Sequence, residues 1–277
     1  MKDDATRSDD LSRARDAALC RSVLYGTMSL ALNSPSADGL AKLCSQETAW
    51  ALLDAAEWLE GSAEIPVVNP TARTTQTAIP LTGRVRDWLQ TFPSLSMEAL
   101  MPLHGRLFGH TARGSVCPYE TEYGPEALFQ QPRQLAEIRG FYEAFGLTPR
   151  DDERERADHT SCELEFLDFL CRKEAYALES KDEAMLEETR KAIRLFLKNH
   201  VGRFAPAFGR SLRDQDNDGF FGQLGSLLRD FVVQECRRVR VESGPPLLAL
   251  RSAEDDKVPM ACGESSDSDL VQLETPT

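Results

Sequence analysis

The chain has 277 residues, 41% of them hydrophobic, which is enough for a sizeable core in one large domain or two small ones. Its 32 Lys and Arg against 45 Asp and Glu give a formal charge of -13, so its field repels nucleic acid and anionic membranes and favours a basic partner. Seven scattered cysteines with no C-x-x-C pair argue against a disulfide framework or a zinc ribbon. The first ten residues contain no apolar signal core and no run of 18 apolar residues follows, so neither secretion by a standard signal nor a membrane span is expected, and the cytoplasm is the expected compartment.

Residues 1–9 are expected to be disordered. From Leu11 to Leu32, apolar residues at Leu11, Ala14, Ala18, Val23, Tyr25 and Leu30 recur at three- and four-residue steps and predict a helix. A second helix is predicted from about Ser36 to Glu60, with Leu40, Leu43, Trp50, Leu53 and Ala56 on its apolar face and Gly61 as its terminator. The stretch from Ser62 to Pro80, with three prolines and many threonines, reads as a loop. Helical spacing returns at Val85, Trp88 and Leu89 and again from Met97 to Phe108, before glycines and Pro118 imply a loop over about 109–124.

Pro132 suits the first turn of a helix whose face is Leu135, Ile138, Phe141, Tyr142 and Phe145, ending at Gly146. A charged connection then leads into a helix with a wide apolar stripe through Leu164, Leu167, Phe169, Leu170, Cys171, Ala175 and Leu178. Two more helices are predicted over about Asp182–Phe204 and Phe220–Val241. No stretch alternates with β-branched enrichment, so the fold class is all-α: a single helical domain over about 10–242. The acidic, apolar-poor residues 243–277 are expected to form a disordered tail.

Three motifs carry the functional reading. Leu107-Phe108 is followed by Gly114 and Cys117-Pro-Tyr-Glu-Thr-Glu-Tyr-Gly124. Leu135-Ala-Glu-Ile-Arg-Gly-Phe-Tyr-Glu-Ala-Phe-Gly-Leu147 is a glycine-centred helix ending in an aromatic and Gly. Glu155-Arg-Ala-Asp-His-Thr-Ser-Cys-Glu-Leu-Glu-Phe166 precedes Lys173-Glu-Ala175. In that order and spacing they resemble the TorD/DmsD/NarJ family of redox-enzyme maturation chaperones, densely over about 75 residues. His104 departs from the pattern, standing where an aromatic is expected, and so does Ala157, where members often carry Pro.

The resemblance implies a TorD-like helical bundle and chaperoning rather than catalysis. It also implies a client: a molybdopterin-dependent oxidoreductase subunit or its twin-arginine leader, held until the client's cofactor is in place. A structural assembly subunit and a nucleotide-dependent switch are the alternatives, and a monomer or a domain-swapped dimer both fit. Under this resemblance the client-binding residues are Leu107, Phe108, Tyr119, Glu120, Glu122, Tyr123, Asp158, His159 and Glu163; no cofactor or metal is assigned.

The residues also have readings of their own. Asp158 stands before an apolar stripe, where a carboxylate can cap backbone N–H groups, or it can meet a basic peptide. His159 is either structural or a donor to a peptide carbonyl. Glu120 and Glu122 are on a loop, either solvated or able to bind an arginine, whereas Leu107 and Phe108 are either core or the inner wall of an apolar groove.

Other motifs carry less. Asp214-Gln-Asp-Asn-Asp-Gly219 opens like a calcium loop, but Gly225 stands where the bidentate Glu belongs. Nothing orients Cys117 with His104 or His110 as nucleophile and base, and no Walker loop or G-x-S-x-G elbow occurs. Arg237-Arg238 is a twin arginine only in spelling, since no apolar stretch follows it.

Overall fold

A computed structural model describes residues 2–62, 79–109, 114–124, 130–148 and 155–251. These residues form ten α-helices, with no strand beyond two isolated bridges. The helices are α1 (Lys2–Leu32), α2 (Ala37–Leu43), α3 (Gln46–Gly61), α4 (Leu81–Leu89), α5 (Met97–Phe108), α6 (Gln131–Ala144), α7 (Thr160–Ser180), α8 (Glu183–Asn199), α9 (Val201–Asp216) and α10 (Phe220–Arg238). The all-α reading therefore holds. Among the described residues no helix is long and apolar enough to cross a membrane.

Several boundaries move, each for a local reason. The first helix begins at Lys2, so the expected disorder over 1–9 is replaced by helix from that residue on. The predicted helix over Ser36–Glu60 is two, because the Ser45 hydroxyl accepts from the Thr48 N–H and restarts the chain as α3. Trp50, expected on the buried face, is 63% exposed; the face of α3 that packs inward is Leu52, Ala55, Ala56 and Leu59. The helix predicted over Asp182–Phe204 breaks at His200, whose backbone leaves the helical region at φ -124°, ψ -105°. The loop expected over Ser62–Pro80 lies largely outside the described residues.

The expected tail boundary at 243 is also displaced, since residues 243–251 are seated on the domain. Pro206 inside α9 has no N–H to give the Gly202 carbonyl, and the Gly244 N–H donates to that carbonyl instead at 2.8 Å. Residues 252–277 are outside the described set.

α1 and α7 run antiparallel, joined by Arg21 Nη2 on Glu174 at 3.2 Å and by the Ser29 hydroxyl donating to the Ser161 carbonyl at 2.8 Å. Arg21 and Glu174 are out of water, and Glu174 also accepts from Arg190 of α8 at 2.7 Å. On α10, Arg238 donates to both oxygens of Glu235, at 2.9 and 2.8 Å, beside Arg21. Arg238, half of the apparent twin arginine, thus closes an ionic cluster linking four helices.

The D-x-D-x-D-G stretch has a capping role. Asp216 ends α9, and its carboxylate accepts from the Phe221 and Gly222 N–H groups in the first turn of α10. Helices α9 and α10 then cross with Gly209 and Gly225 face to face, and a Cβ on either would meet the other's carbonyl oxygen. Gly209→Ala is expected to cost about 1–3 kcal/mol through forced separation. Gly140→Ala on the exposed face of α6, where a Cβ meets nothing within 4 Å, should gain up to about 1 kcal/mol. Urea unfolding of the two variants checks both signs.

Candidate functional site

The loop from Gly114 to Gly124 leaves the end of α5 and is stitched to the start of α7 by main-chain bonds. Val116 N–H donates to the Leu107 carbonyl at 2.8 Å, Glu120 N–H to the Asp158 carbonyl at 2.9 Å, and Thr160 N–H to the Pro118 carbonyl at 2.8 Å. Tyr119 and His159 form an antiparallel bridge between the two segments. Tyr123 turns its ring inward, where its hydroxyl donates to the Cys117 carbonyl at 2.8 Å. The loop is therefore a fixed part of the domain wall.

Asp158 is fully buried and does not cap α7. Its carboxylate accepts from the Thr121 N–H at 3.2 Å, the Thr121 hydroxyl at 2.7 Å, and Arg156 Nε and Nη2 at 3.0 and 2.9 Å. The cap belongs to His159, whose Nδ1 accepts from the Ser161 N–H at 3.2 Å. Burial, with the charges of His104 and Arg156, depresses its pKa to about 3, so the ring is neutral. With Nδ1 as acceptor, the ring proton sits on Nε2, which is 4.0 Å from Glu155 Oε2.

Glu120 is buried against the break between α8 and α9, 3.0 Å from His200 Nδ1 and 3.1 Å from Arg203 Nη2. Burial works against its charge, but the hydrogen bond and pull of His200 and the charge of Arg203 outweigh burial and hold its pKa below the usual carboxylate range. Glu163, one turn into α7 and fully buried, faces Glu120, and its carboxyl has no other hydrogen-bond partner among the described residues. Burial first, then the Glu120 charge, push the Glu163 carboxyl well above its ordinary range, so it stays protonated.

Of the residues expected to form the site, Tyr119, Glu120, Glu122, Tyr123, Asp158, His159 and Glu163 are brought together here. Leu107 and Phe108 are not part of that cluster. Both are buried, and the Phe108 ring packs on Phe221 at 5.3 Å and Phe208 at 6.4 Å, so the pair is core and not the wall of an open groove. His104 takes the place of the missing aromatic, its ring 4.8 Å from that of Phe108.

What solvent reaches is a small shelf over this cluster. Arg156 lies over the Tyr119 ring at 4.5 Å and meets Glu122 at 3.4 Å, and the Tyr119 hydroxyl donates to Glu155 at 3.4 Å. Glu122 and Glu155 remain 24% and 36% exposed. Arg156, Glu155 and Thr121 belong to the motifs but have no singular sequence signal, and His200 and Arg203 lie outside the motifs altogether. Among the described residues no group of three or more His, Cys, Asp and Glu could hold a metal ion.

Comparison with known proteins bears on the same region. The family model of the nitrate reductase delta subunit matches residues 77–210, from just before α4 into α9. The selenate reductase assembly chaperone protein of Thauera selenatis is 37% identical over 136 residues, covering 49% of this chain and 66% of that protein. The chlorate reductase assembly chaperone protein of Ideonella dechloratans is 34% identical over 156 residues, 55% of this chain and 76% of that one. The chain belongs to the TorD/DmsD/NarJ family. A chaperone protein TorD, from Photobacterium profundum, is 27% identical over 125 residues, 45% of this chain and 56% of that relative.

Two outcomes are expected of the buried carboxylates. Asp158→Asn removes a charge that accepts four hydrogen bonds out of water, so it should cost about 2 kcal/mol or more and raise hydrogen exchange at the Thr121 amide. Glu163 has the opposite sign. Its folded pKa is raised above the unfolded 4.5, so the folded state holds an extra proton and wild-type stability falls as pH rises from 4.5 toward the folded pKa. Glu163→Gln cannot lose that proton, so the difference in Tm between this variant and wild type should grow in the variant's favour from pH 5 to pH 8. Thermal melts across that range measure it.

Proposed function

We propose that the protein is a client-specific chaperone that holds the catalytic subunit of a molybdopterin-dependent oxidoreductase, or that subunit's twin-arginine leader, in the cytoplasm until the client's cofactor is inserted. The names of two relatives support a reductase as client, one selenate reductase and one chlorate reductase. The observation that carries the reading is the shelf at the start of α7. Glu122 and Asp158 pair with the guanidinium of Arg156, which lies over the Tyr119 ring, and Glu155 accepts from the Tyr119 hydroxyl, on a wall stitched together from below by main-chain bonds.

Such a shelf suits an arginine-bearing peptide. Asp158 is committed to Thr121 and Arg156, so its part is to hold Arg156 and the loop in place. Glu122 and Glu155 are the acids a basic peptide would meet, with the Tyr119 ring, covered by Arg156, between them. Glu120 and Glu163 act from beneath by fixing the loop against α7 and α9. No step of this requires bond making by the protein.

Calorimetry with a synthetic peptide carrying two adjacent arginines followed by an apolar segment should give roughly micromolar binding, since apolar burial is largely offset by ordering and lost translation. Glu122→Gln together with Glu155→Gln should weaken it by about fivefold or more at low salt, with a smaller difference at high salt. If a scrambled acidic peptide binds as tightly as the basic one, the reading is wrong.

A further inference from the structure

The segment after α10 returns to the shelf. Arg251 N–H donates to the Glu122 carbonyl at 2.8 Å, Gly124 N–H donates to the Ala249 carbonyl at 3.0 Å, and Tyr123 and Leu250 form an antiparallel bridge. Arg251 Nη2 reaches Gln134 Oε1 on α6 at 2.7 Å. Upstream, Gly244 is pinned to the carbonyl that Pro206 leaves open, and a Cβ there would collide with the Arg203 backbone. The chain from Gly244 to Arg251 is thus an extended strap, anchored firmly at its first residue and paired through main-chain bonds at its last three.

The two ends of the strap are held very differently. Its leucines contribute little, since Leu248 alone packs against the core while Leu247 is 71% and Leu250 49% exposed. Main-chain pairing on a short strand edge reads extended peptides with little regard to sequence, and alternate side chains add the selectivity. The occupant here is Pro246-Leu-Leu-Ala-Leu-Arg251, an apolar run closed by an arginine. That composition matches the client chemistry inferred for the adjoining shelf.

We infer that the Glu122–Gly124 edge, with Gln134 beside it, is a peptide-docking surface for an extended apolar segment flanked by arginine, and that residues 247–251 occupy it in the resting protein and leave when a client segment of that chemistry pairs in their place. The identity of the client rests on the function proposed above; the surface and its self-occupant do not. Gly244 and its bond to Gly202 remain as the hinge about which the strap lifts, so release leaves the helical domain intact.

Two measurements test this. In the full-length protein, the amides of Gly124 and Arg251 should be protected from hydrogen exchange. Adding a synthetic peptide with two arginines and an apolar segment should deprotect Arg251 while Gly124, paired anew, stays protected. Independently, a synthetic copy of residues 245–251 should bind the Leu248→Asp variant about tenfold more tightly than wild type, because the strap's occupancy reduces the competent fraction of wild type. Arg251→Ala, which leaves the core untouched, should shift binding in the same direction by less.

If the copy binds wild type and both variants equally, or binds none of them, the docking surface is refuted. If the copy discriminates but the twin-arginine peptide binds no form, the surface stands and the client reading fails. If the twin-arginine peptide binds tightly while Arg251 keeps its protection, the client reading stands and the strap does not gate it.

Discussion

A carboxylate placed out of water must find its partners where it lies, and Glu120 finds them some eighty positions further on, in His200 at 3.0 Å and Arg203 at 3.1 Å. Those two residues are available because the helix predicted to run through them stops at His200 and restarts as α9. The contact ties the loop after α5 to the α8–α9 corner. With that corner held, Glu120 N–H can bond the Asp158 carbonyl and Asp158 can bond Thr121. The start of α7 and the loop then become one wall.

The wall sorts its acidic residues into two kinds. Glu120 and Asp158 are buried and spend their hydrogen-bonding capacity on the protein itself, and Glu163, buried beside Glu120, keeps its proton. Glu122 and Glu155 stand in partial exposure around Arg156 and Tyr119. Buried charge needs a fixed partner because water cannot screen it, whereas the exposed pair is free to trade its neighbours for those of an incoming molecule. The exposed acids therefore stand on a stiff surface, held from beneath by the loop's main-chain bonds to the start of α7.

The same logic runs through the rest of the bundle. The Arg21, Glu174, Glu235 and Arg238 cluster is an interior charge arrangement with every member facing an opposite sign, and it sets the register of α1 and α7 against α10. Pro206 is a second case: its missing N–H leaves a carbonyl inside α9, and Gly244 arrives to satisfy it. An unsatisfied polar group in one element thereby specifies where a distant segment must dock.

Helix content, most helix ends and the family motifs are written locally, and they were legible. Pro132 in the first turn of α6, Gly146 at φ 73° after its end and the apolar stripe of α7 act within a few residues of themselves, so spacing and turn chemistry are enough to read them. The roles of the motif residues were not legible in the same way. Asp158 before an apolar stripe has the signature of a cap, but the N–H groups it accepts include that of Thr121, 37 positions away, and His159 does the capping. Trp50 fits the apolar spacing of α3 and still points to solvent, and residues 243–251 read as tail composition yet are seated on the domain. By itself the sequence determined which segments are helical and which family they belong to, because those depend on periodicity and short motifs. Only the tertiary structure decided which carboxylates are buried and which are offered outward, because burial depends on which distant segment packs on each side chain, and no local pattern encodes that neighbour.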